Sequence, residues 1–266
     1  MVAQRSAAAE AADLLAASLT PDGLQPSDVL DGYRSWESGS GPVFWPAADR
    51  DLPVLGVGAP PPDVADPAQA LSALLPGWQP ASAWATSTAG VTLGGWRFAS
   101  VQRDVARPGG VYLTALAVLL AGAGTQQVVW GLGNPARSVL NGGALVRLLH
   151  SLPPAGEVHG AALAGTWRNS SGYGVAEYEF AADGRFRRGL ASDVTFGLQE
   201  TTTGSTRTGG YRIVAGTLEL TDDGGVRTYL GRLYDEYGYG AETPVHTLGL
   251  MPADTGDEVG YARVAG

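Results

Sequence analysis

The 266-residue chain contains no lysine and no cysteine, and all 17 of its basic residues are arginine. Without lysine there is no Schiff-base nucleophile, no lysine general base and no Walker-type phosphate clamp. Without cysteine there are no disulfides, thiolate nucleophiles or thiolate metal ligands, and either redox compartment stays open. Histidine is nearly absent as well: His150, His159 and His246 lie far apart, with no His-Glu-x-x-His pattern, so no metal site is expected. A single isoleucine, Ile213, amid abundant alanine and glycine marks the arginine bias as that of a GC-rich coding sequence.

Long hydrophobic runs are missing too. The longest, Val111 to Gly122, is too short to span a bilayer as a helix and ends in glycine. Near the N-terminus Glu10 and Asp13 interrupt what would have to be a signal-peptide core, so the segment reads as a surface helix and the default location is cytoplasmic. Positive charge is scarce: 8 arginines against 11 carboxylates leave −3 in residues 1–155, and 9 against 15 leave −6 in residues 156–266. Neither half favours nucleic acid or an anionic membrane surface.

What is present points to β-structure. Apolar residues at 44%, 39 glycines and 17 prolines describe a folded, turn-rich chain long enough for two units. Residues 6–19 have helix formers behind a Ser6 cap, and a short second helix is expected after Pro26-Ser27. Breakers at Gly39-Ser40-Gly41-Pro42 and Pro60-Pro61-Pro62 make residues 35–66 a predicted loop. Ala68–Leu75 reads as a helix, followed by strands near 91–93, 95–103, 110–120 and 126–132 joined by hairpins, and a helix within 136–152. The fold class expected is mainly β with α+β: an antiparallel sheet plus helices, then an antiparallel up-and-down barrel of about eight strands. The divisions are 1–50 (helical segment and linker), 51–155 (α+β) and 156–266 (barrel), with Pro153-Pro154-Ala155-Gly156 as the boundary.

In the second division, the run Gln127-Val128-Val129-Trp130 followed by the helical pattern Leu145-Val146-Arg147-Leu148-Leu149 resembles the PsbP-like α/β/α sandwich over roughly a third of the chain. In the third, turn signals such as Asp183-Gly184 and Asp222-Asp223-Gly224-Gly225 separate nine predicted strands: 164–169, 175–181, 185–190, 194–201, 210–214, 217–221, 226–234, 245–251 and 259–264. With Gly165-Thr166-Trp167 as a Gly-x-Trp opening and Arg263 near the last strand's end, this part resembles lipocalin-like (calycin) barrels. The resemblance implies that Trp167 plugs the barrel base with Arg263 over its ring, a structural closure worth ~1 kcal/mol.

Local motifs give chemistry little support. Gly131-Leu132-Gly133-Asn134-Pro135-Ala136 matches a dinucleotide fingerprint only superficially, since hairpins precede it and Pro135 lies inside it. Asp254-Thr255-Gly256 occurs once, where an aspartic protease needs two such carboxylates. No Gly-x-Ser-x-Gly elbow exists. Catalytic residues and cofactors are therefore none. Alternation puts Ala176/Tyr178/Phe180, Val194/Phe196/Leu198, Tyr211/Ile213 and Leu218/Leu220 each on one sheet face. Tyr229, Tyr234, Tyr237 and Tyr239 form an aromatic cluster suited to a pocket rim or an interface.

The candidate ligand-binding set, interior or rim, is therefore Tyr178, Phe180, Phe196, Tyr211, Tyr229, Tyr234, Tyr237 and Tyr239. Three functions are compatible: a non-catalytic carrier of a small apolar or amphipathic ligand, a protein-interaction scaffold with a packed barrel, or an enzyme using paired carboxylates. No motif supports the third.

Overall fold

A computed structural model describes residues 25–38, 41–47, 53–60, 63–107, 111–133, 143–171, 174–196, 199–237, 243–254 and 258–264. The chain divides into two compact units. One comprises Met1–Ala89, Arg97–Leu152 and Tyr237–Glu242, the other Gly90–Trp96, Pro153–Glu236 and Thr243–Gly266. Both are antiparallel β-structures, so the chain is mainly β, and the described residues hold two α-helices. The helix expected over 6–19 lies outside the described residues.

In the first unit, strands β1 (Gln25–Pro26), β2 (Tyr33–Ser38), β3 (Gly41–Pro46), β4 (Val54–Gly58), β5 (Gln79–Thr92, its residues from Gly90 on belonging to the second unit), β6 (Arg97–Arg107), β7 (Val111–Gly122) and β8 (Thr125–Gly133) lie in the spatial order β1-β2-β3-β4-β8-β7-β6-β5. Helix α1 (Pro67–Leu74) starts where the Asp66 carboxylate accepts a hydrogen bond from the Gln69 amide at 2.9 Å, with Pro67 in the first turn. It packs on β6 and β7 and buries Ala70 and Leu71 among Val101, Val105, Leu113 and Leu132. Helix α2 (Gly143–Ser151) buries Leu145, Val146, Leu148 and Leu149, the apolar stripe expected from its spacing.

Two expectations fail here for readable reasons. Residues 35–66 are not loop: they hold the end of β2 and all of β3 and β4. Only Val43 and Phe44 of β3 pair with β4, so Pro42 and Pro46 fall where that second ladder is absent and neither breaks the strand. No helix follows Pro26-Ser27. Instead the Ser27 hydroxyl accepts from the Val29 and Leu30 amides at 3.1 and 3.0 Å and closes a turn. Most of β5 is not foreseen from sequence because Gln79–Ala89 is small, polar and largely exposed, leaving no apolar alternation to read.

The second unit is a closed barrel. Strands β9 (Gly165–Ser171), β10 (Gly174–Phe180), β11 (Arg185–Phe196), β12 (Gln199–Val214), β13 (Thr217–Asp222), β14 (Gly225–Tyr237), β15 (Val245–Pro252) and β16 (Val259–Arg263) each pair antiparallel with the next. Strand β16 returns to β9 through Ala262 opposite Arg168 and Arg263 opposite Trp167. The ring has eight members, not nine, because β11 and β12 are long enough to absorb the separate strand expected over 194–201.

The barrel core contains Trp167, Tyr178, Phe180, Phe186, Tyr211, Leu218, Leu220, Leu248, Leu250 and Tyr261, joined by Leu163 and by Leu93 from the early segment Gly90–Trp96. That segment is bound to the barrel unit by the Leu93 amide donating to the Gly231 carbonyl (3.0 Å) and by the Trp96 indole donating to the Pro153 carbonyl (2.9 Å).

Strand glycines mark where the wall is tightest. A Cβ on Gly209 would lie 2.0 Å from the Thr221 carbonyl oxygen and 2.9 Å from the Phe186 ring, whereas one on Gly189 meets nothing within 4 Å. Gly209→Ala is therefore expected to destabilise the protein by about 1–3 kcal/mol, and Gly189→Ala to change stability by no more than about 0.5 kcal/mol. Urea denaturation followed by tryptophan fluorescence checks both; equal stability of the two variants would contradict the packing described.

Candidate functional site

Register and alternation together define the barrel's inward face. Residues directly opposed across neighbouring strands share a face, so β9 to β12 present three inward rows. The first is Gly165, Phe180, Phe186 and Gly209; the second Trp167, Tyr178, Arg188 and Arg207; the third Asn169, Ala176, Leu190 and Ser205.

The first row and its neighbours form a sealed floor. Phe180 lies edge-to-face against Tyr211 (centroids 5.0 Å apart) and tilted against Phe186 (6.4 Å). The Tyr211 hydroxyl is shared between the carbonyls of Gly160 (2.9 Å) and Ala181 (2.8 Å). Below, the 3-10 turn Gly160–Leu163 is tied to the barrel by the Trp167 indole, which donates to the Leu163 carbonyl at 2.8 Å. Arg263 lies 5.4 Å from the Trp167 ring centroid and donates to the Ala164 carbonyl at 3.0 Å. Gly165, at φ +134, leaves room for that guanidinium, which would stand 3.3 Å from an added Cβ.

The second row is polar. Tyr178, fully buried, stacks on Phe180 (5.7 Å, 6°) and meets Tyr261 edge-on at 5.2 Å. Its hydroxyl hydrogen-bonds with that of Tyr229, and Tyr261 hydrogen-bonds to Tyr178 in turn. Burial is the main force holding the Tyr178 phenol above its ordinary pKa, Tyr229 adds to it, and the nearby Arg188 works in the opposite direction. Tyr261 is raised chiefly by burial too, against the same arginine.

Arg188 stands 5.4 Å from the Tyr178 ring centroid. Its Nε–H is buried without a hydrogen-bond partner, and among the described residues no carboxylate pairs with it. A buried donor left unsatisfied costs about 1–3 kcal/mol. Across the ladder Arg188 faces Arg207, and Arg227 occupies the inward face of β14 opposite Leu220. One carboxylate, Asp222, with its side chain 2% exposed, serves Arg207 (3.7 Å) and Arg227. The third row opens to water: Leu190, inward by alternation, is still 38% exposed.

The outer face follows a different rule. Arg168 stands opposite Glu177, Arg187 opposite Glu179 and Arg212 opposite Glu219, and each pair forms a salt bridge. Also facing outward, Arg232 and Glu258 are 4% and 3% exposed and joined by two hydrogen bonds, one of 2.7 Å. Burial alone would depress the Arg232 pKa, but Glu258 offsets this and holds it above the ordinary value.

The residues singled out from sequence are distributed unevenly. Tyr178, Phe180 and Tyr211 are in the core, and Tyr229 is half-buried beside them. Tyr234 is not in the interior: its strand position turns it outward, where it is buried with Arg232 4.7 Å from its ring centroid. Phe196 ends β11 opposite Gln199, but its side chain, like that of Tyr237 and the whole of Tyr239, lies outside the described residues. So do the side chain of Val194, all of Leu198 and the Asn134–Ala136 part of the glycine motif. Asp254 is exposed after β15. His246, at 62% exposure, bonds to Asp235.

Sequence reading missed Arg188, Arg207, Arg227 and Asp222. The signal was available: each arginine shares strand parity with an inward aromatic, namely Phe186, Tyr211 and Tyr229.

Comparison with protein-family models, curated proteins and solved structures gives no match, so fold and site alone carry the functional argument. Among the described residues no helix is long and apolar enough to cross a membrane, and no group of three or more His, Asp or Glu could hold a metal ion.

Asp222 sets a pH dependence. Its carboxyl lies below the ordinary carboxylate value, first because it accepts from the Gly224 amide (2.8 Å) and then because of Arg227 and Arg207. A depressed folded-state pKa gives stability that is present above the unfolded-state value of ~3.9 and lost as pH falls through the lower folded value. Melting temperature measured from pH 6 to pH 2 is expected to fall less steeply below about pH 4 in Asp222→Asn than in the wild type; parallel curves would contradict this role.

Proposed function

We propose that the protein is a non-catalytic carrier whose closed barrel, of the lipocalin-like kind, receives a small amphipathic ligand at its open end. The observation that carries this reading is the grading of the inward face: an aromatic floor, a tyrosine and arginine tier, then the half-buried Ala176 beside the exposed Leu190 and Ser205. Leu190, 38% exposed on the inner face beside Ala176, gives an apolar ligand segment a surface to cover. The floor residues, Phe180 and Tyr211 above all, are support for the site and not its lining. An apolar segment would rest on Leu190 and Ala176 and stop at Tyr178.

N-Phenyl-1-naphthylamine, a neutral fluorophore, tests the reading. It is expected to bind the wild type saturably with one-to-one stoichiometry. Ala176→Trp, which fills the third row, should weaken binding about tenfold, roughly 1.4 kcal/mol; Val214→Trp, on an exposed site of the outer face, should not. Absence of a saturable signal, with native mass spectrometry of protein from its own host showing the bare chain, would overturn the carrier reading in favour of a packed interaction scaffold.

A further inference from the structure

The geometry points to an oxyanion head group, carboxylate or phosphate, as the polar end of the ligand, held by Arg188 within the tyrosine tier. This rests on the carrier reading above and names its ligand class. Three features of the barrel wall converge on it.

Charge pairing is the first. On the outer face Arg168, Arg187 and Arg212 each stand opposite a glutamate that neutralises them. On the inner face Arg188 stands opposite Arg207, like charge against like, an arrangement that destabilises a ladder unless an anion lies between. Asp222 answers Arg207 and Arg227 and leaves Arg188 without a counter-ion among the described residues.

The second is the donor. The Arg188 Nε–H is buried and unpaired, as is that of Arg227, but Arg227 has Asp222 beside it and Arg188 has no carboxylate among the described residues; the fork of a guanidinium matches the two oxygens of a carboxylate or phosphate. The third is position. Arg188 lies one inward step below Leu190, the exposed apolar side chain on the same strand, and over Tyr178, whose ring fixes the guanidinium from beneath. A molecule with an anionic head at Arg188 and an apolar body along Leu190 satisfies both.

The test displaces N-phenyl-1-naphthylamine with three twelve-carbon compounds, dodecanoate, dodecyl phosphate and dodecanol, at pH 8 and below micelle formation. At least one anion should displace the probe at about tenfold lower concentration than the alcohol, and this preference should shrink as sodium chloride rises. Which anion is stronger separates the two head groups. Arg188→Met should bring the anions and the alcohol to within about twofold of each other, while Arg212→Gln on the outer face keeps the wild-type preference.

Arg188→Met should also melt no lower than the wild type, because it removes an uncompensated charge; an arginine with a purely structural role would give the opposite shift. Should Arg188→Met fail to fold, Arg188→Gln is tested in its place, and failure of both assigns Arg188 to stability and overturns the inference. Equal displacement by alcohol and anions in the wild type overturns the anion while leaving the carrier intact. If the probe does not bind at all, the carrier reading falls, and the anion falls with it unless dodecanoate raises the melting temperature of the wild type and not of Arg188→Met.

Discussion

Closure of the ring at β16 and β9 is the constraint on which the rest of the barrel depends. Among the described residues two pairs make that junction, Ala262 with Arg168 and Arg263 with Trp167, followed by the Val264 amide donating to the Thr166 carbonyl (2.8 Å). A ladder so short is weak by backbone hydrogen bonds alone. Its side chains reinforce it: Arg263 lies over the Trp167 ring and bonds the Ala164 carbonyl, while the indole N–H holds Leu163 in place. The same two residues therefore shut the ring and anchor the turn that seals its floor. A cation–π contact of this kind is worth roughly 0.5–2 kcal/mol, a modest sum whose effect is magnified because it removes both free edges at once.

Once the ring is shut, every strand residue is assigned to an inner or an outer face by parity, and parity explains the two treatments of arginine. Outside, water and an opposing glutamate share the task of solvating each guanidinium, so pairs such as Arg212 with Glu219 stabilise the fold only slightly. Inside, desolvation makes any charge expensive unless it is paired. Asp222 and Arg227 pair their charges, although the Arg227 Nε–H is left without a partner; Arg188 has the same unpaired Nε–H and no carboxylate among the described residues. The aromatic tier softens the violation, since the π-face of Tyr178 offers the guanidinium partial compensation without closing it off to a ligand.

Much of this was legible in the sequence, and the exceptions share a cause. Barrel strands could be read because Tyr178-x-Phe180 and Leu218-x-Leu220 alternate cleanly and turns such as Asp183-Gly184 punctuate them. The pairing of Trp167 with Arg263 is expected from the resemblance of Gly165-Thr166-Trp167 and Arg263 to lipocalin-like barrels. The missed elements lack such contrast. β3 hides between prolines, and the first part of β5 is too polar and too exposed to show a pattern. The site was missed for a subtler reason: an arginine in a strand reads as an outward residue by default. Parity puts Arg188 on the face of Phe186, but only the pairing register shows that Arg207 stands opposite it there, and register is a non-local property.

An acidic protein is not an obvious host for an anion, and the scale of screening resolves the tension. The net charge of −9 is an average over the whole surface, and at physiological ionic strength its field decays over about 8 Å. A head group approaching the barrel mouth meets that repulsion only weakly and briefly, as a reduced association rate. On the inward face the local balance is what counts: Arg188, the part-buried Arg227 and the more exposed Arg207 stand against the single carboxylate of Asp222 among the described inward residues of that end. The outer carboxylates have a use in this arrangement. By neutralising Arg168, Arg187 and Arg212 in register, Glu177, Glu179 and Glu219 leave the inner arginines as a region of the barrel wall where, among the described residues, positive charge is in excess. Specificity for an anion then comes from contrast between the faces of a single sheet, and it needs no basic surface.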